Sequence, residues 1–251
     1  MPVRGVEAPI YGVGLPPDAP RPLFVWTVSL PLGWRVIDLD PRCTDASIAN
    51  IMRDDDVVPG VRLKSAQKRQ LKEAMASMAA EARKAGAVWV LVLPGVQGDY
   101  VSAVTLLLRW SDSAPRSASV LEIQRQLGAD VTSVEPTLNG ESYVLHSSSS
   151  LAGPVTDRRT VYTHQAFVPV PSTTWTLAVS ATAPDADTGE DVKAIVGRVA
   201  ASVVAWPEIT EQLREVEQLP VGNVVDETAA PVDAESSRVW VDSQGSVDVD
   251  V

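Results

Sequence analysis

A single cysteine, Cys43, stands among 251 residues, so no disulfide can close within the chain, and one thiolate cannot supply a structural zinc cage. Only two histidines, His146 and His164, are present, which leaves little imidazole for metal or acid-base chemistry. Long hydrophobic runs are missing as well. The most apolar stretches, such as Ala87 to Val96, fall short of the roughly 20 residues that a membrane-spanning helix needs, so no membrane insertion is expected. The N-terminus shows neither an apolar core after a basic start nor a lipoprotein cysteine. Together with the lone cysteine, this points to the cytoplasm. Positive charge is also scarce: 21 Lys and Arg face 32 Asp and Glu, which argues against nucleic acid as a partner. No phosphate-cradling glycine loop, dinucleotide fingerprint or G-x-S-x-G elbow occurs. Gly12-Val13-Gly14 precedes prolines and opens no helix.

What the chain does have is the apolar content of a globular protein, 45% by residue. Residues 1–22 are broken by prolines and glycines and read as an extended N-terminal arm that could cover a sheet edge. Residues 23–218 carry regular periods and read as one α+β domain. Residues 219–251 hold seven acids against Arg238 alone, more than half of the net charge of -11, and read as an acidic disordered tail.

Within the domain, Phe24–Leu30, a Pro31-Leu32-Gly33 turn and Trp34–Leu39 read as a β-hairpin. A short helix capped by Thr44 or Asp45 follows through Ile48 and Ile51. A longer helix runs over Leu63–Ala85, with Leu71, Met75, Met78 and Ala82 at helical spacing and Gly86 as its stop. Strands Val88–Leu93 and Val101–Trp110 flank a Pro94–Asp99 loop. Ser117–Leu127 reads as a helix turning Val120, Ile123 and Leu127 inward. A meander follows: Val131–Leu138, an Asn139-Gly140 turn, Ser142–Ser149, Arg159–Val170, a Pro171-Ser172 turn and Thr174–Ala183. The last helix, Asp187–Ala205, buries Val192, Val196, Val199 and Val203 and could continue through Glu208–Glu217 after Pro207. Strands and helices do not alternate, so the expected fold is an antiparallel β-sheet flanked by helices, an α/β/α sandwich in a single domain.

Two segments, Val25-Trp26-Thr27-Val28-Ser29-Leu30-Pro31-Leu32-Gly33-Trp34 and Trp175–Thr182 with the helix ending Ser202-Val203-Val204, resemble the PsbP-like α/β/α sandwich family. The resemblance implies a non-enzymatic accessory or adaptor role and transfers no metal-ligand set. The alanine- and valine-rich style also resembles uncharacterised proteins of high-GC actinobacteria, some of which accompany specialised secretion components.

Candidate sites were weighed residue by residue. His146 and His164 could face each other across paired strands, with Glu141 or Asp157 as a third ligand, although strand histidines are usually plain polar residues. Asp54-Asp55-Asp56 lacks the spacing of a calcium loop and reads as solvated. The Ser147–Ser150 run has no hydrolase context. Cys43 beside Arg42 is either an activated thiol at a helix start or a small buried apolar group. No catalytic residue, metal site or cofactor is therefore assigned.

The more suggestive feature is the basic cluster Arg62, Lys64, Lys68, Arg69 and Lys72, which opposes the dipole at the start of the long helix and reads as a docking face for an acidic protein partner. Val239, Trp240 and Val241 belong to a tail that alternates apolar and acidic residues as an added β-strand would. That strand could pair with a partner's sheet or fold back on the basic helix. The function expected is a protein-binding accessory or adaptor. The alternatives are a hydrolase with a noncontiguous site and a structural component of a larger assembly.

Overall fold

The structure, a computed structural model, describes residues 16, 18–54, 57–97, 100–128, 131–152, 158–207, 238–241 and 247–250. Its elements in chain order are β1 Val25–Ser29, β2 Arg35–Ile37, α1 Thr44–Arg53, α2 Ser65–Lys84, β3 Trp89–Gln97, β4 Tyr100–Asp112, α3 Val120–Leu127, β5 Thr132–Pro136, β6 Ser142–Ala152, β7 Arg159–Pro169, β8 Trp175–Ala183, α4 Ala186–Ala201, β9 Val204–Trp206, β10 Arg238–Val241 and β11 Val247–Asp250. Seven strands form one antiparallel sheet in the order β2-β3-β4-β8-β7-β6-β5. A smaller sheet has the order β11-β10-β1-β9. Helices flank the large sheet, which makes the fold α+β as expected.

Strand alternation assigns each residue of the large sheet to one of two faces. Trp89, Leu91, Leu106, Leu108, Trp110, Leu177 and Val179 point to the first face, where they meet β1 and the Val192, Val196 and Val199 stripe of α4. Ile37, Val90, Val92 and Leu107 point to the second, under Leu71, Met75 and Ala79 of α2. The register Leu107↔Ser180↔Gln165↔His146↔Thr132 carries that second face across to β5. There α3 lies over it, with the Gln124 amide donating to Thr132 Oγ1 at 3.4 Å.

Local chemistry sets the helix ends. Asp185 Oδ1 accepts the Thr188 N–H at 2.8 Å and Ser119 Oγ accepts the Glu122 N–H at 3.2 Å, each satisfying a donor that the helix start leaves open. Gly86 follows α2 at φ +71, where a side chain would be strained. A Cβ there would also meet the Pro20 ring at 3.2 Å, so Pro20 is packed on this turn. Gly140 at φ +88 makes the β5–β6 turn, and the meander through β8 stands as the sequence indicates.

Several expectations are corrected. β1 and β2 do not form a hairpin: β1 leaves for the small sheet and β2 pairs with β3, because Trp26 and Val28 are drawn onto the Trp89 and Trp110 face while Ile37 enters the α2 core. Pro31-Leu32-Gly33 is a corner between sheets. Cys43, not Thr44 or Asp45, is the cap residue of α1, and its side chain makes no capping bond; Thr44 Oγ1 instead donates to Asp40 O at 2.8 Å. Pro94 to Gln97 continue β3 in register with Ala103 to Tyr100 and form no loop. Val120, Ile123 and Leu127 are half-buried, because an eight-residue helix at the sheet margin leaves solvent on both flanks. The last helix ends at Ala201, and Val204–Trp206 form a strand, since β-branched residues and the restriction that Pro207 places on Trp206 favour extended backbone. The Glu208–Glu217 extension lies outside the described residues, as does most of the N-terminal arm. Within the 219–251 segment, 238–241 and 247–250 are strands and the remaining residues lie outside the described ones.

A cluster of aromatic rings joins the two sheets. Trp26 and Trp110 meet edge to face with centroids 5.1 Å apart. Trp26 and Trp89 lie at 5.3 Å, and Phe24 and Trp175 each meet Trp110 edge-on at 5.8 and 6.4 Å. Trp26→Ala is expected to lower unfolding free energy by about 3–5 kcal/mol, the range for emptying a buried aromatic site. Urea denaturation checks this; a loss under about 1 kcal/mol would show that the site collapses or was never tightly filled.

Candidate functional site

The two histidines do not converge. His146 is in register with Gln165, whereas His164 is in register with Ser147. A one-residue offset between paired strands sends side chains to opposite faces, so His146 lies on the α3 side and His164 under α4. Glu141 sits in the β5–β6 turn, and Asp157 is outside the described residues. Among the described residues no three His, Cys, Asp or Glu side chains gather as a metal site would require. The serine run splits in the same way, with Ser147 and Ser149 on one face and Ser148 and Ser150 on the other.

His164 is the buried titratable group nearest to a chemical site. It is 4% exposed, and its Nδ1 lies 2.8 Å from Ser147 Oγ. Its Nε2 has no partner and faces Gly189 of α4, 3.6 Å from where a Cβ would stand. Burial pushes the imidazole below its ordinary value, the nearby Lys193 adds to this, and Glu190 opposes it. A serine nucleophile needs a base whose second nitrogen is oriented by another group. Here the second nitrogen is sealed against a helix with nothing to orient it, so the pair is a packed polar contact.

Two clefts among the described residues bring together no more chemistry. One of about 120 Å³ is lined by Thr137, Glu141, Val170, Ser172 and Val203. Another, of about 270 Å³, lies among Pro94, Ser102, Val104, Asp185 and Thr188, and the Asp185 carboxylate there is already engaged as the α4 cap.

The basic cluster is partly assembled. Lys64 is the cap residue of α2, and its backbone N–H donates to Gln67 Oε1 at 2.9 Å. Lys64, Arg69 and Lys72 are exposed, Lys68 is half-buried, and Arg62 is exposed in the segment before the helix. Arg69 Nε stands 4.0 Å from Glu73 Oε1, and no acidic residue occupies the first turn of α2. Lys68, Arg69 and Lys72 share one flank; Arg62 and Lys64 lie beyond the helix start.

Val239, Trp240 and Val241 are not brought to this cluster. They pair with Val28, Thr27 and Trp26 of β1, on the opposite face of the large sheet from α2. The fold-back on the basic helix is therefore corrected: the β1 edge offers a backbone ladder, which a helix flank cannot. Asp54 is paired with Arg35, and Asp55 and Asp56 are outside the described residues. Cys43 is exposed, which removes the buried alternative, while Arg42 is turned to Asp40 at 2.6 Å.

A feature absent from the sequence reading appears at the β5 margin. Leu121 of α3 is 75% exposed and Leu138 is 79% exposed, with Val131 and Val134 exposed between them. Periodicity that turns Val120 and Ile123 inward leaves Leu121 outward, which was the available signal.

His164 gives this region a measurable pH dependence. Its folded-state value is depressed, so the unfolded chain takes up a proton near pH 6.5 before the folded one does. The contribution is present above that pH and is lost as pH falls toward the folded value. His164→Gln is expected to flatten this part of the stability profile between about pH 7.5 and 5.5, measured by urea denaturation; an unchanged profile would assign the loss elsewhere. Comparison with known proteins adds no family to this picture: no family model matches the chain, and no curated protein or solved structure matches it either.

Proposed function

We propose that this chain is a non-catalytic protein-binding accessory or adaptor protein, acting in the cytoplasm and linked to a specialised secretion system. The observation that carries the binding role is the β5 margin. β5 ends the order of the large sheet, its outer side pairs with no other described strand, and Leu121, Val131, Val134 and Leu138 expose apolar surface around it. An open strand edge supplies backbone donors and acceptors for an extended partner segment, and neighbouring apolar side chains supply the contact that selects it. The basic flank of α2 adds a second, electrostatic element that favours a partner with acidic residues. The assignment to secretion is supported by the sequence's resemblance in style to actinobacterial proteins that accompany such systems. No helix among the described residues is long and apolar enough to cross a membrane.

The test is affinity capture from source-cell lysate with the full chain, with Leu121→Glu/Val134→Glu and with Lys64→Glu/Lys68→Glu/Lys72→Glu, each checked for folding by circular dichroism. One protein retained by the parent and lost from the first variant is the expected result, with weaker retention by the second. Identical recovery by all three, or background alone, would remove the adaptor reading.

A further inference from the structure

The middle of β1 is fully buried: Trp26 is 2% exposed, Thr27 3% and Val28 0%. Its backbone groups must therefore find protein partners on both sides. On one side the Ser29 N–H donates to Ser202 Oγ at 2.9 Å, just before β9, and β9 pairs with Val25 to Thr27. Successive residues of a strand direct their N–H and C=O groups to alternate sides. Ser29, Thr27 and Val25 thus serve the β9 side, and Trp26 and Val28 present theirs to the opposite side. There the only described strand is β10, with Val241 opposite Trp26 and Val239 opposite Val28. Leaving such groups unpaired in a buried strand is destabilising.

β10 is remote in sequence from the strand it pairs with. It is reached only through residues 208–237, it meets the body chiefly through β1, and its outer side is closed by β11, with Asp250 opposite Arg238 and Asp248 opposite Trp240. A strand held in this way, by a backbone ladder along one edge, is bound as peptide-binding domains bind an added strand.

We infer that the outer edge of β1 is a strand-acceptor site for an extended segment with the alternating chemistry of Val239-Trp240-Val241, and that the chain's own C-terminal strand is its resident, exchangeable occupant. β10, backed by β11, is then a strap. It closes an edge that would otherwise invite pairing with other chains, and any outside strand enters by displacing it. This site is separate from the β5 margin and stands or falls without it.

Hydrogen exchange on the full chain tests the inference. In the parent protein the Val239 and Val241 amides are expected to be protected together with those of Trp26 and Val28; exchange at random-coil rates at Val239 and Val241 would overturn it outright. Val239→Pro removes a ladder donor. It is expected to speed exchange at Trp26 and Val28 by roughly tenfold while Thr27, on the β9 side, and Leu107, in the large sheet, change by less than about twofold. A synthetic peptide of residues 236–251, added in excess to that variant, restores slow exchange if the edge is an acceptor site. Unchanged exchange at Trp26 and Val28 in the variant, or a peptide that restores nothing, would overturn it.

Discussion

The seating of Trp26 against Trp89 and Trp110 is the contact on which the arrangement of the two sheets depends. Aromatic rings met edge-on contribute about 0.5–1.5 kcal/mol per pair beyond the area they bury, and Trp110 takes part in three such meetings. This cluster pulls β1 away from its sequence neighbour β2 and lays it across the first face of the large sheet. Once β1 is there, its two edges need partners. β9 is fixed on one side by the end of α4, and β10 is drawn onto the other.

The remaining architecture follows from which face each strand residue takes. α4 shares the first face with β1, and α2 and α3 share the second. That division places the basic flank of α2 and the C-terminal strand on opposite sides of the large sheet, so they cannot act as one site. It also separates His146 from His164. The same division leaves the β5 margin covered on its second face by a short helix alone, which is why apolar side chains remain in solvent there. Among the described residues, the proposed binding role rests on two strand edges, β5 beside exposed apolar groups and the side of β1 that pairs with the chain's own C-terminal strand.

Much of this fold was legible because its signals are local. Leu71, Met75 and Ala82 reveal the buried stripe of α2 by spacing alone, and Asn139-Gly140 marks the turn that starts the meander. The fold class needed only the order of such elements. What could not be read depends on pairings distant in sequence. Nothing within Phe24–Leu39 tells that β1 will join Val204–Trp206 and Arg238–Val241, because the deciding partners are Trp89 and Trp110. The histidine pair failed for a subtler reason: one residue of register between β6 and β7 decides whether His164 faces His146 or Ser147. The basic cluster was visible as charge, but its division between the helix flank and the segment before it was not. The alternation at 238–241 suits an added strand, but the segment as a whole reads as disordered, and the strand's partner, the chain's own β1, lies far off in sequence.

The dependence of both β1 edges on the aromatic seat is tested most directly by hydrogen exchange in Trp26→Leu. If Trp26 holds the small sheet in place, amides of β1, β9 and β10 exchange faster together while those of β3, β4 and β8 keep their parent rates. Unaltered protection in β10, or a uniform acceleration through both sheets, would contradict the view that one aromatic contact positions the small sheet and its strand-binding edge.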